Sequence, residues 1–205
     1  MARLKAATDA QHRATERLPL PQALGRGSLG SRAYGLHLQV FRVLLTDLEG
    51  RLDAHAPVLG AVWGPERMKA HLLEADLATL GRDGVLPASL ARALDASLPG
   101  PLDLGALLGR LYVFEGATLG GAVLTPRLAA TPALEGQPLH YYRGYGREVG
   151  PMWKRFRAGM NALLAPPLRL DAAITQARAT FEEVGRGFDA AWEAALDTPR
   201  PMRIA

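Results

Sequence analysis

Apolar residues recur along this chain at three- and four-residue spacings, and no stretch alternates apolar and polar positions long enough to make a half-buried strand. Ala and Leu dominate while β-branched and aromatic residues are sparse, so the pattern predicts an all-α protein, a helical bundle. Prolines punctuate it. Nearly all of them, from Pro19, Pro21 and Pro57 to Pro199 and Pro201, fall between periodic segments, with Pro126 the exception. The segments so bounded cover 2–18, 29–54, 65–80, 87–97, 103–130, 139–164 and 170–196. Pro65 followed by Glu66 reads as a first helical turn, and Gly81 as a C-terminal stop. Residues 1–196 therefore read as one helical domain, and 197–205, DTPRPMRIA, as a flexible tail.

Composition narrows the classes. A chain of 205 residues is long enough to bury a single sizeable core. Its hydrophobic fraction is 48%, yet charged residues or glycine interrupt each apolar run before the ~20 residues that a bilayer span needs. The N-terminal stretch MARLKAATDAQHRATERL alternates charges and lacks the apolar centre of a signal peptide, so the expectation is a cytoplasmic protein without a membrane. Without cysteine there is no disulfide, cysteine nucleophile, thiolate-held zinc or cysteine-ligated iron–sulfur cluster. Any metal must rest on His, Asp or Glu. The net charge of +4 is scattered in ones and twos rather than clustered, which argues against nucleic acid and fits an acidic protein partner.

Two helices carry candidate chemistry. In the first, Leu4, Thr8, Gln11, Thr15 and Leu18 share one stripe, and Lys5, His12 and Glu16 group on its flank. His12 reads either as a boundary histidine with an i, i+4 partner or as a metal ligand whose second nitrogen is held by Glu16. One imidazole cannot hold a bare ion tightly, but it can hold one whose other ligands come from a macrocycle. The second helix contains FEGATLGGAVL, in which Gly116, Gly120 and Gly121 each cost roughly 1 kcal/mol of helix stability relative to alanine. Either close helix packing or close backbone approach to a planar ligand would compensate.

Together these segments resemble the biliverdin-forming heme oxygenases, and more closely the small bacterial ones that include partners of bacteriophytochromes. LKAATDAQHRATE is similar to the family's first helix, which implies that His12 is the proximal iron ligand and that Lys5 and Glu16 support heme binding. LYVFEGATLGGAVL is similar to the kinked distal helix, which implies catalytic positions at Gly116, Gly120 and Gly121 and a propionate contact from Tyr112. WKRFRAGMNALL matches a region where a basic residue reaches a propionate, with Arg157 the best match and Lys154 beside it. ARATFEEVGRGF matches the last core helix and implies that Phe181 and Phe188 lie near the heme.

The resemblance implies heme b sandwiched between the two helices as both substrate and cofactor. O2 and electrons would open it to biliverdin with release of CO and Fe2+. The chain has no dinucleotide fingerprint, so electrons would come from a separate donor such as a ferredoxin or flavodoxin with its reductase. Ala117 is a departure, because vertebrate-type enzymes carry Asp there; a non-catalytic heme carrier or sensor is the alternative that it favours. Thr118, Glu115 and Arg110 are polar neighbours of undefined direction. His37, His55, His71 and His140 match no motif and read as solvated or boundary residues. The absence of Glu-x-x-His pairs argues against a di-iron site, and the absence of cysteine against a thiaminase-like enzyme.

Overall fold

The two longest helices pair backbone to backbone, and the other elements pack around them. The computed structural model describes residues 1–60, 62–81, 86–95 and 100–197. Among these residues the helices are α1 (Ala2–Glu16), α2 (Pro19–Gly25), α3 (Ser31–Glu49), α4 (Ala56–Leu59), α5 (Ala70–Thr79), α6 (Ala88–Asp95), α7 (Leu104–Ala129), α8 (His140–Arg143), α9 (Val149–Leu163) and α10 (Pro167–Leu196). There is no strand among the described residues, as the periodicity predicts. Apart from Asp197, the expected tail at 197–205 lies outside the described residues.

Where the elements differ from the pattern, local chemistry explains it. Pro19 does not merely end α1; it starts α2 at N1, where its fixed φ and missing N–H cost nothing. Pro65–Arg67 forms a 3₁₀ turn, after which Met68 is extended at ψ 134° and the α-helix begins at Ala70. The single segment expected over 139–164 is two helices, because Gly144 and Gly146 turn the chain at φ +38° and +53°. Pro126 sits inside α7 near its exposed C-terminal end, where water can take the carbonyl that the proline ring leaves free.

In length and composition α7 is apolar enough to cross a membrane, against the expectation from its interrupted runs. Its packing makes it the core helix instead: it lies against α10, α8 and α9 and carries the fully buried Arg110 and Glu115. Neither side chain points into solvent. Arg110 bonds Glu183 of α10 at 2.5 Å and Asp47 of α3 at 3.4 Å, which ties three helices together. Burial pushes the Glu183 carboxyl up and Arg110 opposes that shift.

The α7–α10 contact depends on glycines that the sequence pattern did not single out. A Cβ at Gly109 would stand 2.3 Å from the Ala173 carbonyl oxygen, and one at Gly105 would stand 2.8 Å from that of Arg169. Both neighbours are rigid helix backbone. Gly109→Ala is therefore expected to lose about 1–3 kcal/mol through overpacking, a fall of roughly 2–12 °C in Tm for a chain of this size. Thermal unfolding followed by circular dichroism checks this, and an unchanged Tm would contradict the close approach.

Candidate functional site

Between α1 and α7 lies a cavity of about 530 Å³. That volume is typical of small-molecule sites, which span roughly 300–1,000 Å³. The first wall is set by how α1 is anchored. Leu4 and Thr8 are buried, the Thr15 hydroxyl, which donates to the Gln11 carbonyl at 3.0 Å, lies 3.4 Å from the Phe181 carbonyl, and Arg178 Nε donates to the Ala7 carbonyl at 2.8 Å. These ties hold α1 on α10 and leave Lys5, His12 and Glu16 lining the cavity.

The His12 side chain is 54% exposed, so nothing in the protein saturates its ring nitrogens by burial. Nδ1 lies 3.6 Å from Glu16 Oε2, an ion-pair separation rather than a hydrogen bond. The Phe181 ring stands perpendicular to the imidazole at 5.6 Å between centroids and fixes its plane.

The opposite wall is α7, where Val113, Gly116 and Ala117 line the cavity with Leu119 and Leu124. A Cβ at Gly116 or Gly120 would meet no atom within 4 Å, so both glycines leave open space. Gly121 differs. A Cβ there would lie 2.8 Å from the Tyr142 carbonyl oxygen, so this glycine permits α8 to dock and is not part of the open wall. The alternatives left by the sequence thus divide by position: open backbone at Gly116 and Gly120, close packing at Gly121.

The rim carries the exposed Arg157, one turn after Trp153 on α9, while Lys154 is exposed but does not line the cavity. Tyr112 is half-buried; burial pushes its phenol up, and a hydrogen bond to Thr8 partly offsets this. Thr118 is turned to its own helix, its hydroxyl donating to the Glu115 carbonyl at 2.6 Å.

The inner end holds a residue that sequence reasoning misplaced. His37 is buried rather than solvated, hydrogen-bonded to the Tyr142 hydroxyl and stacked on Phe188 at 5.0 Å. Burial pushes its imidazole down to about 3, so the ring is neutral near pH 7. No group of three or more His, Cys, Asp or Glu side chains among the described residues could hold a bare metal ion.

The heme oxygenase family model matches residues 1–189. A heme oxygenase of Xanthomonas campestris pv. campestris is 31% identical over 162 residues, covering 78% of this chain and 91% of that protein. The chain belongs to the heme oxygenase family. Heme, iron and oxidoreductase chemistry follow from that membership. The fold is also that of solved heme oxygenases. Heme oxygenase-1 of the cyanobacterium Synechocystis, solved in complex with heme, superposes with a TM-score of 0.76 at 16% identity over 95% of this chain and 93% of that one. The Leptospira interrogans enzyme gives 0.74 at 20% identity over 90% and 96%.

Of the ten residues singled out from the sequence, eight line this one cavity. Lys5, His12 and Glu16 come from α1, Tyr112 and Gly116 from α7, Arg157 from α9, and Phe181 and Phe188 from one face of α10. Gly120 lies one turn beyond Gly116 at the exposed end of the same face, and Gly121 faces α8. The lining residues His37, Tyr141 and Tyr142 were missed. Their signal was present for His37, which shares a helical stripe with Phe41 one turn on.

Proposed function

We propose that this protein opens heme to biliverdin with release of CO and Fe2+, using O2 and electrons from a separate donor. The observation that carries it is the convergence of a free imidazole, open glycine backbone and two rim cations, Lys5 and Arg157, on one largely apolar slot. That combination suits a flat, apolar macrocycle with two carboxylates at one edge, as heme has. Bound heme supplies both the oxygen-activating iron and the ring that is consumed.

His12 would hold the iron through Nε2, since Nδ1 faces Glu16 at 3.6 Å. Lys5, Arg157 and Tyr112 would hold the propionates by charge and hydrogen bond and so orient the ring. Phe181 and Phe188 exclude water along α10. Gly116 and Gly120 would keep side chains away from the α7 side of a bound ring, leaving room there for a small ligand. An acidic ferredoxin or flavodoxin, with its reductase, would dock on this net-positive chain and deliver electrons. A second reading, a heme carrier or sensor without turnover, has Ala117 in its favour, since a methyl group cannot organise donor water.

Gly116→Leu tests the open wall. The first added carbon meets no atom within 4 Å, so folding is expected to persist, while turnover of heme should fall at least tenfold because the side chain occupies the open space beside α7. Product formation by absorbance checks it, and normal turnover in a folded variant would contradict the role of that backbone.

A further inference from the structure

The inner end of the cavity holds a polar pair among aromatic side chains. His37 of α3 and Tyr142 of α8 both line it and are joined through Nε2 and the phenol oxygen. Burial keeps the imidazole neutral and holds the phenol protonated, so the pair carries one N–H and one O–H. Their mutual bond uses one of these. If the phenol donates to Nε2, the Nδ1 hydrogen is left over; if Nε2 donates to the phenol, the O–H is left over. In either tautomer one buried hydrogen remains to be donated, and Nδ1 has no protein partner. The Tyr34 hydroxyl, whose ring centroid is 6.3 Å from that of Tyr142, is likewise without a protein partner. Unsatisfied buried polar atoms are rare in native proteins and point to water or ligand.

The placement of the pair is built in. The buried carboxylate of Asp76 accepts from the backbone N–H groups of His140 and Tyr141 at 2.8 and 2.9 Å. The Tyr142 carbonyl lies 2.9 Å from the Thr125 hydroxyl, whose one hydrogen it shares with the Gly121 carbonyl at 2.7 Å, and Gly121 admits the Tyr142 carbonyl against α7. Short as it is, α8 is thereby fixed to α5 and α7, which sets the Tyr142 backbone against α7 while its side chain lines the same cavity as Gly116. Ala117 presents only a methyl group on that side.

We propose that the His37–Tyr142 pair is the hydrogen-bond donor on the α7 side of the site, acting through ordered water on a small ligand held beside Gly116. It is a positioning pair that touches water rather than heme, and it rests on the heme reading above.

Carbon monoxide is the probe. In the ferrous, heme-loaded protein, a donor to the CO oxygen weakens the C–O bond and lowers its infrared stretch. Tyr142→Phe keeps the ring and its packing and removes only the hydroxyl; it should raise the C–O stretch while leaving the Soret band and heme affinity unchanged. His37→Leu should raise it as well, and His37→Gln, which restores an N–H donor, should bring it part of the way back. The oxygenated complex should autoxidise roughly two- to tenfold faster in Tyr142→Phe, the range that one hydrogen bond supplies. A CO band at the wild-type position in both Tyr142→Phe and His37→Leu, with normal heme uptake, overturns the donor assignment alone. Failure of the unaltered protein to take up heme overturns the proposed function, and the donor with it.

Discussion

Replacing Glu115 by alanine is expected to cost about 3–5 kcal/mol, the range for removing one partner from a buried charge network. The carboxylate is fully buried on α7, one residue before Gly116. It accepts from Arg67, from Lys69 Nζ at 3.0 Å and from the Tyr145 hydroxyl at 2.9 Å. Arg67 also donates to the Met152 carbonyl at 3.0 Å, so the cluster joins α7, α9 and the 65–69 turn. Alanine would leave two cations, 3% and 2% exposed, without their buried anion, Arg67 keeping only the exposed Glu66 at 3.8 Å. For a domain of this size the Tm should fall by roughly 6–20 °C. Burial already pushes the Lys69 ammonium down, and Glu115 opposes this, so the variant lowers it further. Between that depressed value and the unfolded lysine value of 10.5 the unfolded chain binds more protons, so stability rises with pH and the deficit should narrow from pH 7 toward 10. Urea and thermal unfolding at several pH values check this; a Tm within about 2 °C of the parent would contradict the network's importance.

His12→Ala should do the opposite: little to stability and a great deal to function. The side chain is 54% exposed and its closest charged neighbour, Glu16, is 63% exposed, so folding should change by no more than about 0.5 kcal/mol. Heme affinity should fall at least 100-fold, since losing an outer-shell partner alone costs roughly 10- to 100-fold. Turnover should fall with it. Added free imidazole should restore the Soret position, because the slot around the iron remains intact. An unchanged heme spectrum and affinity in the variant would refute His12 as the ligand.

The sequence was most informative where a single periodic face or a spacing determines the outcome. Lys5, His12 and Glu16 share a helix flank, and α1 needs only Leu4 and Thr8 buried to present that flank to the cavity. Phe181 and Phe188 are seven residues apart on α10, so two turns of helix place both on one face, one beside His12 and one beneath His37. What lay beyond reach depended on partners distant in the chain. Nothing local distinguishes Gly121, packed on Tyr142, from Gly116, which faces open space. Arg110 and Glu115 looked like polar neighbours of the site, but Glu183, Arg67 and Lys69 draw them into the core on other faces of α7. The break between α8 and α9 was missed because Gly144 and Gly146 interrupt an otherwise helical run, and only their positive φ reveals the turn.

The most direct test of the central proposal is a single-turnover reaction of the purified protein loaded with one equivalent of heme, supplied aerobically with reduced ferredoxin and followed by absorbance and CO capture. Loss of the Soret band with one biliverdin and one CO per heme is the predicted result. A Soret band that persists through repeated reduction, with no biliverdin and no CO, would contradict heme cleavage and leave a heme-binding protein in its place.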